Sequence, residues 1–167
     1  MRATLDLIEK AESSEPYRKL SITFRNALAS KDPTKLVPID KLMMPETPDE
    51  VDQRLKIIFF LNHYELIASG FNHGVLDRSF YADFMRGALV HDWKVAKPFI
   101  DELRKPDPGV HPHPVTIYEH FEALAKEWDW EIEHEKKLRQ QGKSPAQIKR
   151  AIGLYRLKPH KRPFPPL

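Results

Sequence analysis

The densest apolar pattern of the chain covers residues 51–104 and predicts two long antiparallel helices. Between residues 57 and 61 the first of these helices is apolar on nearly all sides, as expected of a central helix covered by neighbours. The sequence of residues 47–50, Thr-Pro-Asp-Glu, is an N-terminal capping box. Glycines at the ends of segment 70–74 predict a tight turn, and Asp77 is the expected N-cap of the second helix.

The second helix of the pair carries two adjoining apolar stripes, each at helical spacing. One stripe consists of Leu89, Trp93, Ala96 and Ile100, and the other of Phe80, Phe84 and Ala88. Pro98 lies within this pattern and predicts a kink or a break, because proline removes one backbone donor and clashes with the preceding turn.

Two amphipathic helices are predicted before this pair, over residues 3–13 and 16–30. In the second of them Leu20, Phe24 and Leu28 form one apolar stripe. Four prolines make residues 31–48 a connection, with one short helical turn near Leu36.

After the pair, residues 105–114 form an extended proline-rich linker. A capping box from Thr116 to Glu119 predicts a long helix that ends near Gln141, before Gly142. Residues 144–147, Ser-Pro-Ala-Gln, open a last helix that runs to about residue 155, and the proline-rich tail beyond it has no regular structure.

No segment alternates polar and apolar residues with period two, so the sequence predicts an all-α fold. We expect a single-domain bundle of six to seven helices around the central antiparallel pair. Residues 1–104 form the predicted core and residues 105–115 the linker. Residues 116–167 form a long acidic helix, a short basic helix and a basic tail, packed on or swapped against the core.

The composition is that of a soluble globular protein, with 41% hydrophobic and 31% charged residues in 167. The absence of cysteine excludes disulfides, thiolate metal sites and cysteine nucleophiles, and it fits a reducing compartment. The acid-containing N-terminus is unlike a signal peptide, and no apolar run approaches the roughly 20 residues that span a bilayer. We expect a cytoplasmic protein.

Charge is distributed unevenly along the chain. From Lys136 to the C-terminus there are ten bases and no acid, whereas residues 1–135 hold 17 bases against 24 acids. This basic arm is the predicted site for a protein partner or for nucleic acid. Its bases are Lys136, Lys137, Arg139, Lys143, Lys149, Arg150, Arg156, Lys158, Lys161 and Arg162.

Residues 138–154 resemble the first half of a DNA-binding helix-turn-helix, with a helix end, a glycine and a serine-capped helix. The recognition helix that should follow is replaced by residues 155–163, where prolines prevent a helix of useful length. Non-specific binding of phosphates remains open. A competing hypothesis has the arm fold back on the acidic block that ends at Glu135, or on a second copy of the chain.

Asn62 and Glu65 lie one turn apart in the apolar helix and are predicted to be a buried polar pair. A buried carboxylate must be paired or protonated. One interpretation is a ligand or acid–base site. The alternative, which we favour, is a structural contact in which Glu65 binds an arginine, a tyrosine or a free helix N-terminus.

His91-Asp92 suggests a metal phosphohydrolase, with His63 or His73 upstream and Asp101 or Asp129 downstream as further ligands. A His-Asp pair is common in a helical chain with 8 histidines, so this hypothesis ranks third.

Two further histidine patterns carry less weight. Glu131 and His134 have the Glu-x-x-His spacing of di-iron bundles but lack the second copy that such sites need, so we expect a solvated acidic face. His111 and His113 alternate with prolines and are interpreted as part of a stiff spacer. We expect no catalytic residue, metal or other cofactor.

Several stretches resemble a bacterial and phage family known as domain of unknown function 4760, over about residues 1–104. They are residues 2–8, residues 61–68, Gly70, residues 74–77, Trp93, residues 97–100, Leu103 and Arg104. The resemblance implies a helical domain and supplies no activity. Many relatives carry a transmembrane helix ahead of this segment; this sequence does not, so we expect no membrane role.

The sequence therefore favours a non-catalytic protein that binds another macromolecule. We expect the partner to be another protein, or a second copy in a homodimer, and the role to be that of a phage or mobile-element accessory factor acting on a host protein, for example a defence inhibitor. The alternatives are nucleic-acid binding through the basic arm and, from another class, the metal phosphohydrolase.

Overall fold

The computed structural model describes residues 13–106 and 116–156, the last two without their side chains. No strand occurs in these ranges, which confirms the all-α prediction. They contain six α-helices, α1 (Glu15–Leu28), α2 (Ile39–Met43), α3 (Pro48–Asn72), α4 (Arg78–Leu103), α5 (Glu119–Gln140) and α6 (Pro145–Arg156), together with a 3₁₀ turn at Pro33–Lys35. The predicted helix over residues 3–13, the linker from residue 107 and the tail beyond residue 156 lie outside the described residues.

The helix α5 packs along both α3 and α4, and α1 packs on α3. The pair α3–α4 is antiparallel, because Phe71 lies against Tyr81 near the turn and Tyr64 reaches Asp92 farther away from it. Tyr17 at the start of α1 contacts Phe60 and His63 in the middle of α3. The result is a bundle of four long helices with one shared core.

Aromatic side chains fill this core where the helices meet. The ring of Phe121 from α5 stacks on Tyr64 of α3 at 4.8 Å between centroids and meets Trp93 of α4 edge-on at 5.2 Å. Phe24 of α1 lies 4.6 Å from Phe60 of α3. Helix α5 contributes to the same core as α3 and α4. The division of the chain into a core of residues 1–104 and a C-terminal unit stays a prediction.

The predicted start signals of α3 and α4 are present. The Thr47 side chain accepts a hydrogen bond from the Glu50 amide, and the Glu50 carboxylate accepts one from the Thr47 amide. Asp77 accepts from the amides of Ser79 and Phe80. These side chains satisfy amides that a helix N-terminus leaves without an internal partner.

The turn between α3 and α4 is shorter than predicted. The helix α3 continues through Gly70 to Asn72, and Gly74 has the left-handed φ of 67° that the turn requires. Gly70 is needed for packing, since a Cβ there would lie 2.8 Å from a methyl carbon of Leu76. Gly74 is therefore required for its backbone conformation, and Gly70 for the space that Leu76 occupies.

The short helical turn predicted near Leu36 is divided into two pieces on either side of that residue. A 3₁₀ turn precedes it and α2 follows it. The amide of Val37 donates to the carbonyl of Ala27 at 2.8 Å, which ties this connection to the end of α1.

Of the two apolar stripes on α4, one is buried and the other is partly exposed. Leu89, Trp93, Ala96 and Ile100 are in the core, whereas Phe84 is 72% exposed. The neighbours α3 and α5 meet α4 on one side only, and Tyr81 occupies the buried position there. The helix continues through Pro98, whose side chain is exposed, so the predicted break does not occur.

A polar contact joins α3 to α4 inside the core. Tyr64 Oη donates a hydrogen bond of 2.8 Å to Asp92 Oδ2, and Asp92 is only 2% exposed. Burial raises the pKa of Asp92 above its ordinary value, against the lowering effect of the Tyr64 hydrogen bond. The folded protein therefore binds a proton at Asp92 more tightly than the unfolded chain does.

We predict that Asp92→Asn is tolerated, because an amide oxygen accepts the Tyr64 hydrogen bond without the desolvation of a charge. Because the pKa of Asp92 is raised in the folded protein, the free energy of unfolding of the natural protein decreases relative to that of Asp92→Asn as pH rises. The difference is largest at neutral pH. The natural protein regains stability as pH falls through the folded-state pKa of Asp92. Urea unfolding at several pH values measures this difference.

The control for this experiment is Asp101→Asn, an exposed carboxylate on the same helix. Its free energy of unfolding, relative to that of the natural protein, should not change comparably between neutral and acid pH. A loss of stability in Asp92→Asn that is largest at neutral pH would show that the buried carboxylate stabilises the fold as an anion.

Candidate macromolecular interface

Six of the ten predicted bases have described side chains, and all six are exposed. We call this set the basic C-terminal surface; it comprises Lys136, Lys137 and Arg139 of α5, Lys143 of the connecting loop, and Lys149 and Arg150 of α6. The side chains of Arg156, Lys158, Lys161 and Arg162 lie outside the described residues.

Four acids of α5 pair with bases of α4. Glu127 binds Arg78 at 2.8 Å, Asp129 binds Lys94 at 2.7 Å, and Glu131 and Glu135 bind Arg86 at 3.4 and 2.8 Å. The bidentate contact with Glu135 raises the pKa of Arg86 above its ordinary value.

No residue of the basic C-terminal surface forms an ion pair within the described parts of the chain. Four acids of the block that ends at Glu135 pair with bases of α4, and none of these six bases forms an ion pair with that block. Their charge is available to a partner.

A tight turn places α6 against the end of α5. Gly142 has a φ of 74°, and the amide of Lys143 donates to the carbonyl of Leu138 at 3.1 Å, which closes the helix as in a Schellman motif. Ser144 and Gln147 exchange side-chain to backbone hydrogen bonds and cap α6, as predicted. Ile148 and Ile152 are then buried. The segment that would hold a recognition helix lies outside the described residues from residue 157 onward.

Two depressions border this hairpin. A polar groove of about 480 Å³ lies between α4, α5 and α6, with Arg139 and Lys149 among its walls. On the other side of α6, a smaller hollow of about 250 Å³ is lined by the apolar side chains of Leu138, Ala151 and Leu154 and by the bases Lys143 and Arg150. An apolar floor with basic edges is suited to an acidic segment that carries an apolar side chain.

The side chain of Glu65 caps the start of α5 from a different helix. Its Oε2 accepts the amide of Phe121 at 2.8 Å, and its Oε1 accepts that of His120 at 3.2 Å. These are the second and third amides of α5, which an N-cap side chain normally binds. Tyr118, the actual N-cap residue, has a left-handed φ of 60°, and its side chain forms no capping hydrogen bond. The capping box predicted at Thr116 is therefore wrong, and Glu65 supplies the missing acceptor.

The prediction of a buried pair of Asn62 and Glu65 is wrong. Asn62 is exposed and Glu65 is half-buried. The reason is that the core lies on the side of α3 that carries Tyr64, so Asn62 faces outward. The structural interpretation of Glu65, a contact with a free helix N-terminus, agrees with the geometry.

Arg104 at the end of α4 also holds the start of α5. Its guanidinium donates two hydrogen bonds to the carbonyl of Ile117, at 2.9 and 2.6 Å, and pairs with Glu122 at 2.6 Å. Asn72 donates to Nδ1 of His120 at 2.9 Å. Helices α3 and α4 thus both fix the chain where α5 begins.

The residues of the phosphohydrolase hypothesis do not converge. His91 is exposed, whereas Asp92 points into the core and binds Tyr64. Asp101 and Asp129 pair with lysines. Within residues 13–106 and 116–154, no three histidine or carboxylate side chains are placed to hold a metal ion together.

The Glu-x-x-His segment also differs from expectation. Glu131 is buried against Arg86, and the ring of His134 stacks on Trp130 at 4.8 Å, so this segment is not a fully solvated acidic face. His111 and His113 lie outside the described residues.

The outer face of α3 carries exposed apolar residues that the sequence analysis did not identify. The all-round apolar pattern of this helix predicted burial on every side. Instead, one stripe remains uncovered by the described structure, and it consists of Val51, Leu55, Phe59 and Leu66. The signal was present in their spacing, which repeats along a single face.

Comparison with known proteins gives one match. A family model described as Domain of unknown function (DUF4760) matches residues 1–128, farther than the resemblance predicted and into the middle of α5. The basic C-terminal surface lies outside the matched segment. No curated protein and no solved structure matches the chain. Of the helices in the described ranges, none has the length and apolar composition to cross a membrane.

We predict that Glu65→Ala lowers the free energy of unfolding by about 1–3 kcal/mol, because two helix amides lose their acceptor and a negative charge leaves the N-terminus of α5. Glu65→Gln keeps one acceptor oxygen without the charge and should have an intermediate effect. Urea unfolding followed by circular dichroism measures both.

Glu133→Ala, at an exposed position of α5, is the matched control and should leave stability unchanged. If Glu65→Ala unfolds at the same urea concentration as this control, the contact with α5 contributes nothing to the fold.

Proposed function

This chain belongs to the DUF4760 family, a domain family of unknown function, and we propose that it is a non-catalytic protein that binds another protein through its basic C-terminal surface. The observation that carries the proposal is the separation of charge between two neighbouring parts of α5. Glu127, Asp129 and Glu135 of this helix are paired with α4, whereas the bases at its end and in α6 form no ion pair with a described residue. Exposed, unpaired charge of one sign steers and orients a partner of the opposite sign.

The apolar hollow favours a protein over nucleic acid as that partner. Leu138, Ala151 and Leu154 offer contact to an apolar side chain, while Lys143 and Arg150 at the edges suit carboxylates next to it. Proteins that bind single strands without sequence preference rely on aromatic side chains for stacking. No aromatic residue occurs between positions 136 and 154.

The finer parts of the proposal rest on the family resemblance and on composition. We propose a bacterial or phage protein of the cytoplasm that serves as an accessory factor of a phage or other mobile element and acts on a host protein. Inhibition of a host defence protein is one such role. The cysteine-free composition supports a reducing compartment.

Nucleic-acid binding through the same surface is the alternative. Ten bases without an acid from residue 136 onward support it, and contacts to phosphates would make the affinity fall steeply with salt. The two classes of partner differ in one respect that can be tested: only a protein partner uses the apolar hollow.

We predict that affinity capture from nuclease-treated extract of the native host recovers one stoichiometric protein. Its purified form should bind Lys149→Glu/Arg150→Glu at least about tenfold more weakly, because two attractive charges become repulsive. Leu154→Ser should also weaken the complex, since it removes an apolar contact. Titration calorimetry or surface plasmon resonance at two salt concentrations measures each effect.

Arg18→Glu/Lys31→Glu is the control, because it reverses two exposed bases away from this surface. It should bind like the natural protein. Repeated recovery of no protein would contradict the proposal. Binding to a 20-nucleotide strand that falls steeply with salt and is unaffected by Leu154→Ser would establish the alternative.

A further inference from the structure

The outer face of α3 carries a continuous apolar strip away from the basic C-terminal surface. We call the part of this face from residue 55 to residue 66 the α3 seam; it consists of the apolar Leu55, Phe59 and Leu66 with Asn62 among them. The three apolar side chains are 45, 57 and 68% exposed. Single exposed apolar residues are ordinary, but a contiguous row on one helix marks a surface that another molecule covers.

The spacing of the seam residues is that of the core positions in a two-stranded coiled coil. Its members follow one another at intervals of four, three and four residues, which is the alternation of core positions in a heptad. With about 100° of rotation per residue they occupy one narrow arc of the helix. Ile57, Phe60 and Tyr64 are buried on the opposite side. The helix α3 is therefore shaped to pack on two sides.

Asn62 indicates which molecule covers the seam. It stands in the middle of the row, and its amide forms no hydrogen bond within the described structure. Against a purely apolar partner, the covered amide would be left unsatisfied, which is costly. An identical helix running in the same direction places a second Asn62 opposite the first, and each amide can both donate and accept.

The charges beside the seam are compatible with such a pair. Asp52 lies one turn before Leu55 and would approach its own copy, but it is already paired with Lys56 on the same helix. Glu65 is occupied by the amides of α5 and is not a free charge at the edge. No cluster of unpaired charge of one sign separates the two helices.

We propose that the α3 seam is the interface of a parallel homodimer, in which Asn62 pairs with Asn62 of a second copy across a twofold axis. A twofold axis that runs parallel to the two helices makes each residue of the seam meet its own copy. The contact is shorter than a standard protein interface, so we expect a dissociation constant of about 1–100 µM. The dimer would present two basic C-terminal surfaces, and it does not depend on what those surfaces bind.

Single cysteines test the arrangement directly, because the chain contains none. In a parallel pair, Leu55→Cys and Leu66→Cys should each form a disulfide-linked dimer on mild oxidation. Met44→Cys, at an exposed apolar position of the connection before α3, should remain monomeric. If a linked dimer forms only when Leu55→Cys and Leu66→Cys proteins are mixed, the helices run antiparallel and the proposal is wrong.

Sedimentation velocity of the unlinked protein tests the interface without cysteines. The natural protein should shift from monomer to dimer between about 1 and 200 µM. Phe59→Glu should stay monomeric over this range, with at least a tenfold rise in the dissociation constant. The matched control Phe84→Glu changes an exposed phenylalanine of α4 and should dimerise normally.

Circular dichroism shows whether Phe59→Glu keeps its helices, as an exposed position should allow. If it unfolds, the cysteine pair still decides the question, because those variants add no charge. A natural protein that remains monomeric at 200 µM overturns the proposal and assigns the seam to a different molecule.

Discussion

The arrangement of the bundle depends on how the start of α5 is held. This helix follows a proline-rich linker, and its own N-cap residue, Tyr118, provides no side-chain acceptor. Glu65 of α3 accepts two of its free amides, and Arg104 of α4 binds the carbonyl just before it. These contacts come from two helices, so α5 is fixed against both. The aromatic core and the ion pairs of α5 follow from that position.

The position of α5 also decides where charge remains free. Its first part lies along α4, and the acids Glu127, Asp129 and Glu135 meet the bases of that helix. Its end extends to the turn with α6, where the lysines and arginines form no ion pair with a described acid. The sequence contains an acidic block followed directly by a basic one, which suggested mutual pairing. The fold instead pairs most of the acidic block with α4 and leaves the described bases of the other block without an ion pair.

The helix α3 shows how an apolar sequence serves two purposes. Tyr64 and Phe60 face the core, while Phe59 and Leu66 face outward. A helix that its own chain surrounds has a high hydrophobic content. So does a helix that packs on its own chain with one face and on another molecule with the opposite face, and hydrophobic content alone does not distinguish the two. The lone polar residue of the outer row, Asn62, is the feature that makes a second copy suitable. A binding role is thus supported at two separate surfaces.

The sequence by itself determined the helical class, most helix boundaries and the caps at Thr47, Asp77 and Ser144, because these depend on neighbouring residues only. It also located the basic arm, since charge is read directly from composition. The tertiary structure decided which faces are buried, that Glu65 caps α5, and that Asn62 and Phe84 are exposed. Periodicity shows which residues share a face of a helix but not what packs against that face. A carboxylate that binds an amide 55 residues away leaves no pattern in the sequence around it.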